Sequence, residues 1–258
     1  MYKIIYFSPT GNTKFLANKL AVLLNIDKEN IYRLEDVSDN EMIRTDHLVF
    51  MYPIHGFNAP RTVKRFVKNI EKGLFFNISL LAVGCNDLFV NDAVSNDLKK
   101  QFKKKGYKIV VDEILAMPIT IVIDFPDKEK EEAIEKSTKQ LNDISENIKN
   151  SVNSTRKVKL PSKFINLIGK LEDPAARLFG LELHAKKSCI SCGICWENCP
   201  ENNIRANKNN VPKFGFSCMM CMRCIYDCPE QSITPYISKF ITIKGGYRLD
   251  NGEKKDLE

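Results

Sequence analysis

Hydrophobic positions in residues 1–152 alternate between two periods. Short β-branched and aromatic runs are each followed by a segment with apolar residues three or four apart. Lys3–Phe7 predicts a first strand and Lys14–Leu24 an amphipathic helix beginning at Thr13. Asn30–Leu34 is a short second strand. Leu48–Tyr52 is a third, followed by a helix around Pro60–Asn69 with proline at its start. Ile78–Val83 predicts a buried fourth strand, with a helix near Asp92–Lys104. Tyr107–Met117 is a fifth, with Ile119–Ile123 as a candidate extension, and Lys128–Asn150 is a long charged closing helix. Strands alternating with helices predict an α/β fold, an open doubly wound five-stranded parallel sheet of order 2-1-3-4-5.

The pattern changes at Asn150-Ser-Val-Asn-Ser-Thr-Arg156, a stretch of linker composition. Residues 153–185 read as a helical connector, with Leu160–Leu183 interrupted at Asp173-Pro174. Residues 186–236 form a cysteine-rich unit. Residues 237–258 hold a candidate edge strand, Phe240–Ile243, and a polar tail expected to be mobile.

Composition then narrows the class. At 258 residues, 43% hydrophobic and 28% charged, the chain is of globular type. No run reaches the ~18 apolar residues of a membrane span. The start, Met1-Tyr-Lys-Ile-Ile-Tyr-Phe7, lacks a signal-peptide layout, which points to the cytoplasm. The net charge of +7 is divided unevenly. Residues 1–155 carry 22 basic and 21 acidic groups, and 156–258 carry 17 and 11. No patterned basic face or motif for nucleic acid accompanies this excess, so none is expected as a partner.

Eight of the nine cysteines lie between Cys189 and Cys228. Cys189, Cys192, Cys195 and Cys199-Pro200 repeat as Cys218, Cys221, Cys224 and Cys228-Pro229, both C-x2-C-x2-C-x3-C-P. Aligned over sixteen residues, the two copies share seven identities, which marks an internal duplication. Disulfides and structural zinc are the alternatives. Zinc sites usually separate two cysteine pairs, and disulfides suit exported chains. Over about fifty residues the region resembles the bacterial dicluster ferredoxins, whose spacing this is. The resemblance implies two [4Fe–4S] clusters in a small α+β domain. Cys189, Cys192, Cys195 and Cys228 would hold one; Cys218, Cys221, Cys224 and Cys199 would hold the other. Apolar Ile190, Ile194, Met219, Met220 and Ile225 would shield them.

The first strand runs into Ser8-Pro9-Thr10-Gly11-Asn12-Thr13 at a helix start, where backbone N–H groups favour an anion. Neither a nucleoside-triphosphate loop nor a dinucleotide fingerprint is present. The ordinary alternative is a Ser/Thr-capped helix. The run resembles the flavodoxin phosphate loop, which implies that Ser8, Thr10, Gly11, Asn12 and Thr13 bind the phosphate of FMN. In that family the loops after strands three and four flank the isoalloxazine. Here they contain Pro53, Ile54, His55, Gly56 and Phe57, and Gly84, Asn86, Asp87 and Phe89. The second is similar to G-x-G-D, with Asn86 in place of a glycine, and the first lacks the tryptophan common in flavodoxins. Phe57 and Phe89 are candidates to stack on the ring or simply to pack. His55 is a candidate proton donor or a solvent-facing loop residue.

Cys85 reads first as a small buried hydrophobe and second as a reactive thiol. His47 and His184 have no constellation around them. Lys99, Lys100, Lys103, Lys104 and Lys105 read as a solvated helix face before a docking site. Together, residues 1–236 resemble fused flavodoxin–ferredoxin proteins of anaerobic bacteria and archaea. The resemblance implies electron transfer between two [4Fe–4S] clusters and FMN, serving a redox partner such as an acidic ferredoxin or a reductase. A reductase of a small substrate at the flavin and a redox-sensing or structural cluster module are the competing readings. Two anionic clusters and a phosphate would bring the basic chain close to neutral.

Overall fold

Strands β1 (Tyr2–Tyr6), β2 (Ile31–Arg33), β3 (His47–Pro53), β4 (Asn77–Gly84), β5 (Lys108–Ala116) and β6 (Ser154–Thr155) make one parallel sheet, in the order β2-β1-β3-β4-β5-β6. The computed structural model describes residues 1–85, 89–158 and 160–249. Successive strand residues face opposite sides of a sheet, so a strand covered on both faces is apolar throughout. β3 and β4 follow that rule. Leu48, Phe50, Tyr52 and Leu80 enter one core with Val63 of α2 (Arg61–Asn69) and Phe102 of α3 (Asn96–Lys104). Val49, Met51, Leu81 and Val83 enter the opposite core with Leu16 and Leu20 of α1 (Asn12–Leu23) and Leu141 of α4 (Asp127–Lys149). Each such side chain stabilises the fold by about 1.5–3 kcal/mol on burial.

The sheet has six strands where the pattern predicts five. Polar Ser154–Thr155, read as linker, pairs with Val111 and Asp112 of β5. A buried ion-pair network holds it there. Asp112 is fully buried and receives Lys99 Nζ at 2.6 Å and Arg156 Nη2 at 2.9 Å. Lys99 therefore leaves the solvated lysine face. Lys105 also turns in, to the Lys68 and Ile70 carbonyls at 3.0 and 2.5 Å. β5 stops at Ala116 and Ile119–Ile123 does not extend it. α3 begins four residues later than its apolar period suggests, after a 3-10 turn at Phe89–Asn91.

The connector is two helices, α5 (Leu160–Ile168) and α6 (Glu172–Glu182), joined by a 3-10 turn at Gly169–Leu171. Pro174 does not interrupt α6, because it lies in the first turn, where a missing N–H costs nothing. The C-terminal unit pairs β7 (Leu183–Ala185) with β10 (Ile233–Pro235), and β8 (Ile204–Ala206) with β9 (Pro212–Phe214), both antiparallel. Two single-turn helices, α7 (Ile194–Glu197) and α8 (Arg223–Tyr226), complete it. Phe240–Ile243 is not an edge strand. Its backbone bonds locally, in a 3-10 turn at Lys239–Ile241 with Ile241 N–H donating to Ser238, while the Ile241 carbonyl receives Val122 N–H at 2.9 Å.

Candidate functional site

The duplication in sequence is also one of backbone geometry. Ser191, Gly193 and Asn202 have φ of 57°, 89° and 48°; their counterparts 29 positions on, Met220, Met222 and Gln231, have 54°, 62° and 44°. Left-handed backbone at a non-glycine costs roughly 1–3 kcal/mol and persists where the surroundings require it. In both copies it turns the chain tightly around the cysteines. Sulfur also accepts in register: Asn203 N–H donates to Cys199 Sγ at 3.3 Å, and Ser232 N–H to Cys228 Sγ at 3.2 Å.

All nine cysteines are free thiols. Cys199, Cys218, Cys221 and Cys224 line one recess, with Met219 and Met220. Cys189, Cys192, Cys195 and Cys228 line a second, with Ile190 and Trp196. Each recess thus takes three cysteines from one copy and the fourth from the other. Burial pushes the Cys195 thiol up to about 11 and Cys221 to about 12, and raises Cys218 and Cys224. Such thiols stay protonated at neutral pH unless a metal takes the proton's place. Two four-thiol recesses with N–H donors aimed at sulfur fit a cubane cluster in each.

Residues 182–229 match the family model of the 4Fe-4S dicluster domain. That domain is joined to the doubly wound α/β sheet of residues 2–155. Among solved structures, a flavodoxin from the domain Archaea is similar at 12% identity, over 58% of this chain and 99% of its own, with a TM-score of 0.39. Fusobacterium nucleatum flavodoxin bound to flavin mononucleotide is similar at 15%, over 58% and 98%, with 0.43. Flavodoxin 2 from Bacillus cereus is similar at 17%, over 58% and 97%, with 0.41. No curated protein matches the chain.

At the carboxyl end of β1, Thr10, Gly11, Asn12 and Thr13 are all buried. Gly11, at φ 100°, forms the turn into α1 and, as the residue at the cap position, offers no side chain to it. Ser8 Oγ instead accepts from Lys14 N–H at 3.1 Å. The backbone N–H groups of Thr10, Gly11, Asn12 and Thr13 have no acceptor among the described residues. Buried backbone donors are almost always paired, and four in succession at a positive helix end are of the kind that suits an anion. Asn12 is fixed by its own contacts. Its Nδ2 donates to the Pro118 carbonyl at 2.9 Å and its Oδ1 receives the Tyr247 hydroxyl at 2.7 Å.

The loop after β3 follows the same end of the sheet. His55 and Asn58 exchange backbone hydrogen bonds at 2.9 and 2.8 Å, making a tight turn with Gly56 and Phe57 at positive φ. Burial lowers the His55 pKa to about 4, so its imidazole is neutral at pH 7 and brings no proton of its own as an imidazolium. Phe57 is exposed. Ile54 packs on Gly84, where a Cβ would stand 3.0 Å from its side chain. Pro53 ends β3, paired with Val83. The connector covers this loop: Gly169 lies against the Gly56 carbonyl, Glu172 against Gly56, and Asn166 Nδ2 donates to the Phe57 carbonyl at 2.8 Å. Asn86 and Asp87 lie outside the described residues, as does the Phe89 side chain. Cys85 is exposed, not buried as its apolar character suggests, because β4 ends at Gly84 and the chain there leaves the sheet.

Sequence reasoning missed the arginines and the C-terminal segment. Arg61, Arg223 and Tyr247 match no motif, and only tertiary contacts bring them to the site. The polar tail is docked as far as Leu249, whose N–H donates to the Thr10 carbonyl at 3.0 Å.

Proposed function

We propose that this chain is an electron-transfer iron–sulfur flavoprotein carrying two [4Fe–4S] clusters and FMN. The four N–H groups of residues 10–13, which have no acceptor among the described residues, carry the flavin half of this reading. They supply donors for a phosphate at the sheet end where ligands of doubly wound folds bind. Ser8, Thr10 and Thr13 add hydroxyls. Pro53, Ile54, His55, Gly56, Phe57 and Gly84, with Asn86, Asp87 and Phe89, are assigned to the ring. FMN, when bound, exchanges one or two electrons and each cluster one, so the chain bridges the two kinds of redox chemistry.

The cysteine sets differ in what surrounds them. Met219 and Cys221 pack against the N-terminal core, so the Cys199, Cys218, Cys221 and Cys224 site faces the flavin domain. Cys192 and Ile190 are exposed, so the Cys189, Cys192, Cys195 and Cys228 site faces solvent and an external redox protein. The connector packed over the 53–58 loop supports a carrier, in which protein covers the flavin, over a reductase with an open substrate cavity.

Anaerobic reconstitution tests this reading. About eight iron atoms and one FMN per chain are expected. The Thr10→Ala/Thr13→Ala pair should lose flavin and keep its iron. Zinc in place of iron, or full flavin occupancy in the double variant, would overturn the corresponding half.

A further inference from the structure

The loop bearing Cys218, Cys221 and Cys224 is gripped by two arginines, one from each domain. Arg61, at the start of α2, donates through Nη2 to the Ser217 carbonyl at 2.6 Å and lies 3.4 Å from Glu201 Oε2. Arg223 reaches the other way, out of the cysteine loop and into the N-terminal domain. Its Nη2 donates to the Ser8 carbonyl at 3.1 Å, the first residue of the phosphate loop. Its Nη1 meets Glu35 Oε1 at 2.5 Å and donates to the Asn198 carbonyl at 3.1 Å. The guanidinium also stands 5.5 Å from the centre of the Phe7 ring. Its side chain is 7% exposed, so these contacts are made in a dry junction where geometry is held tightly.

The side chain therefore bridges the two loops directly. Its backbone stands beside Cys224 in the wall of the cysteine recess, and its fork ends on the residue that opens the proposed anion cradle. We infer that Arg223 is a positioning residue for internal electron transfer, setting the separation between the second-cluster loop and the phosphate loop. This rests on the cofactor assignments above. Lysine keeps the charge but cannot reach Ser8, Asn198 and Glu35 together, because only the planar guanidinium forks.

The test uses full-length wild type, Arg223→Gln and Arg223→Lys, reconstituted anaerobically. Iron and flavin contents are measured first, then reduction of the flavin by pre-reduced clusters, followed by stopped flow. Both variants should keep their iron. In Arg223→Gln, internal transfer should slow by at least about tenfold, the scale on which small misplacements of reacting centres act. Reduction by a small external reductant should proceed as in wild type. Arg223→Lys should fall between the two. Wild-type internal rates in both variants would overturn the inference, and so would equal slowing with the external reductant. A second measurement does not depend on flavin. Amide exchange in residues 7–11 and 218–224 should rise together in Arg223→Gln, and unchanged exchange in either segment overturns the inference. If wild type takes up iron but no flavin, the FMN assignment fails, and the exchange result still decides the role of Arg223. If Arg223→Gln does not fold, Arg223→Lys decides on both measurements.

Discussion

The Tyr247 hydroxyl donates to Asn12 Oδ1 at 2.7 Å, across 235 positions of sequence. Burial drives the phenol far above its ordinary range, which keeps it a donor at every physiological pH. Asn12 also supplies one of the four N–H groups that have no acceptor among the described residues, so the C-terminal segment braces the proposed anion cradle. Tyr247→Phe removes one buried hydrogen bond and leaves Asn12 Oδ1 unsatisfied. A loss of about 1 kcal/mol in unfolding free energy is expected. Titration with FMN should show weaker binding and an unchanged iron content. An unaltered flavin affinity would show that the brace does not act on the cradle.

Met219 joins the two domains by packing. It lies between cysteines of the second motif, yet is 6% exposed and belongs to the N-terminal core with Phe50, Leu80 and Tyr52. Met219→Ala should destabilise the protein by about 2–5 kcal/mol through lost contacts and a cavity. Calorimetry should then show the cluster domain and the sheet melting in separate transitions. A single transition at the wild-type temperature would count against this coupling.

Asp112 should be among the most sensitive positions of the sheet. Replacing it with asparagine leaves Lys99 and Arg156 without their buried counter-charge, at a cost of about 3–5 kcal/mol. Arg156 also donates to the Asp112 carbonyl and to Ser95, bonds the substitution leaves in place, so β6 should loosen on β5 without detaching. Denaturant midpoints measure the loss, and amide exchange at residues 154–156 locates it. Midpoints equal to wild type would show that the network is neutral.

Glu172 sets a pH dependence with a defined sign. Burial against the Gly56 turn raises its carboxyl from about 4.5 to about 7, with Lys64 opposing and Asp173 reinforcing the shift. The folded state therefore holds its proton more tightly than the unfolded chain does. Below pH 4.5 both states are protonated and the group contributes nothing. As pH rises towards 7 the unfolded state gains by ionising, and stability falls by up to about 3 kcal/mol. Glu172→Gln should flatten the stability profile between pH 4.5 and 7 relative to wild type. His47 and His55, lowered to about 4 by burial, act in the opposite sense as pH falls and are common to both proteins. Parallel profiles for the two proteins would refute the assignment.

Local chemistry was legible in the sequence. The cysteine spacing marked the duplicated segment, and its two copies repeat in backbone geometry because close cysteines are arranged by the turns between them. The apolar runs of β3 and β4 announced a sheet buried on both faces, because burial on two sides leaves no polar alternation. Ser8–Thr13 showed a helix start, although a capped helix has the same composition. In the folded backbone the N–H groups of residues 10–13 have no acceptor among the described residues, while Ser8 Oγ accepts from Lys14 N–H.

Tertiary structure decided what depends on distant partners. Ser154–Thr155 has linker composition and becomes a strand because Asp112 holds Arg156 beside it. Lys99 sits in a run of lysines and becomes a buried counter-ion to the same carboxylate. Nothing near Arg223 in sequence shows that its guanidinium ends on the Ser8 carbonyl, 215 positions away. The sequence by itself determined where the duplicated cysteines and the Ser8–Thr13 turn fall along the chain. Only the tertiary structure decided which cysteine recess packs on the N-terminal domain, because that depends on how the two domains dock.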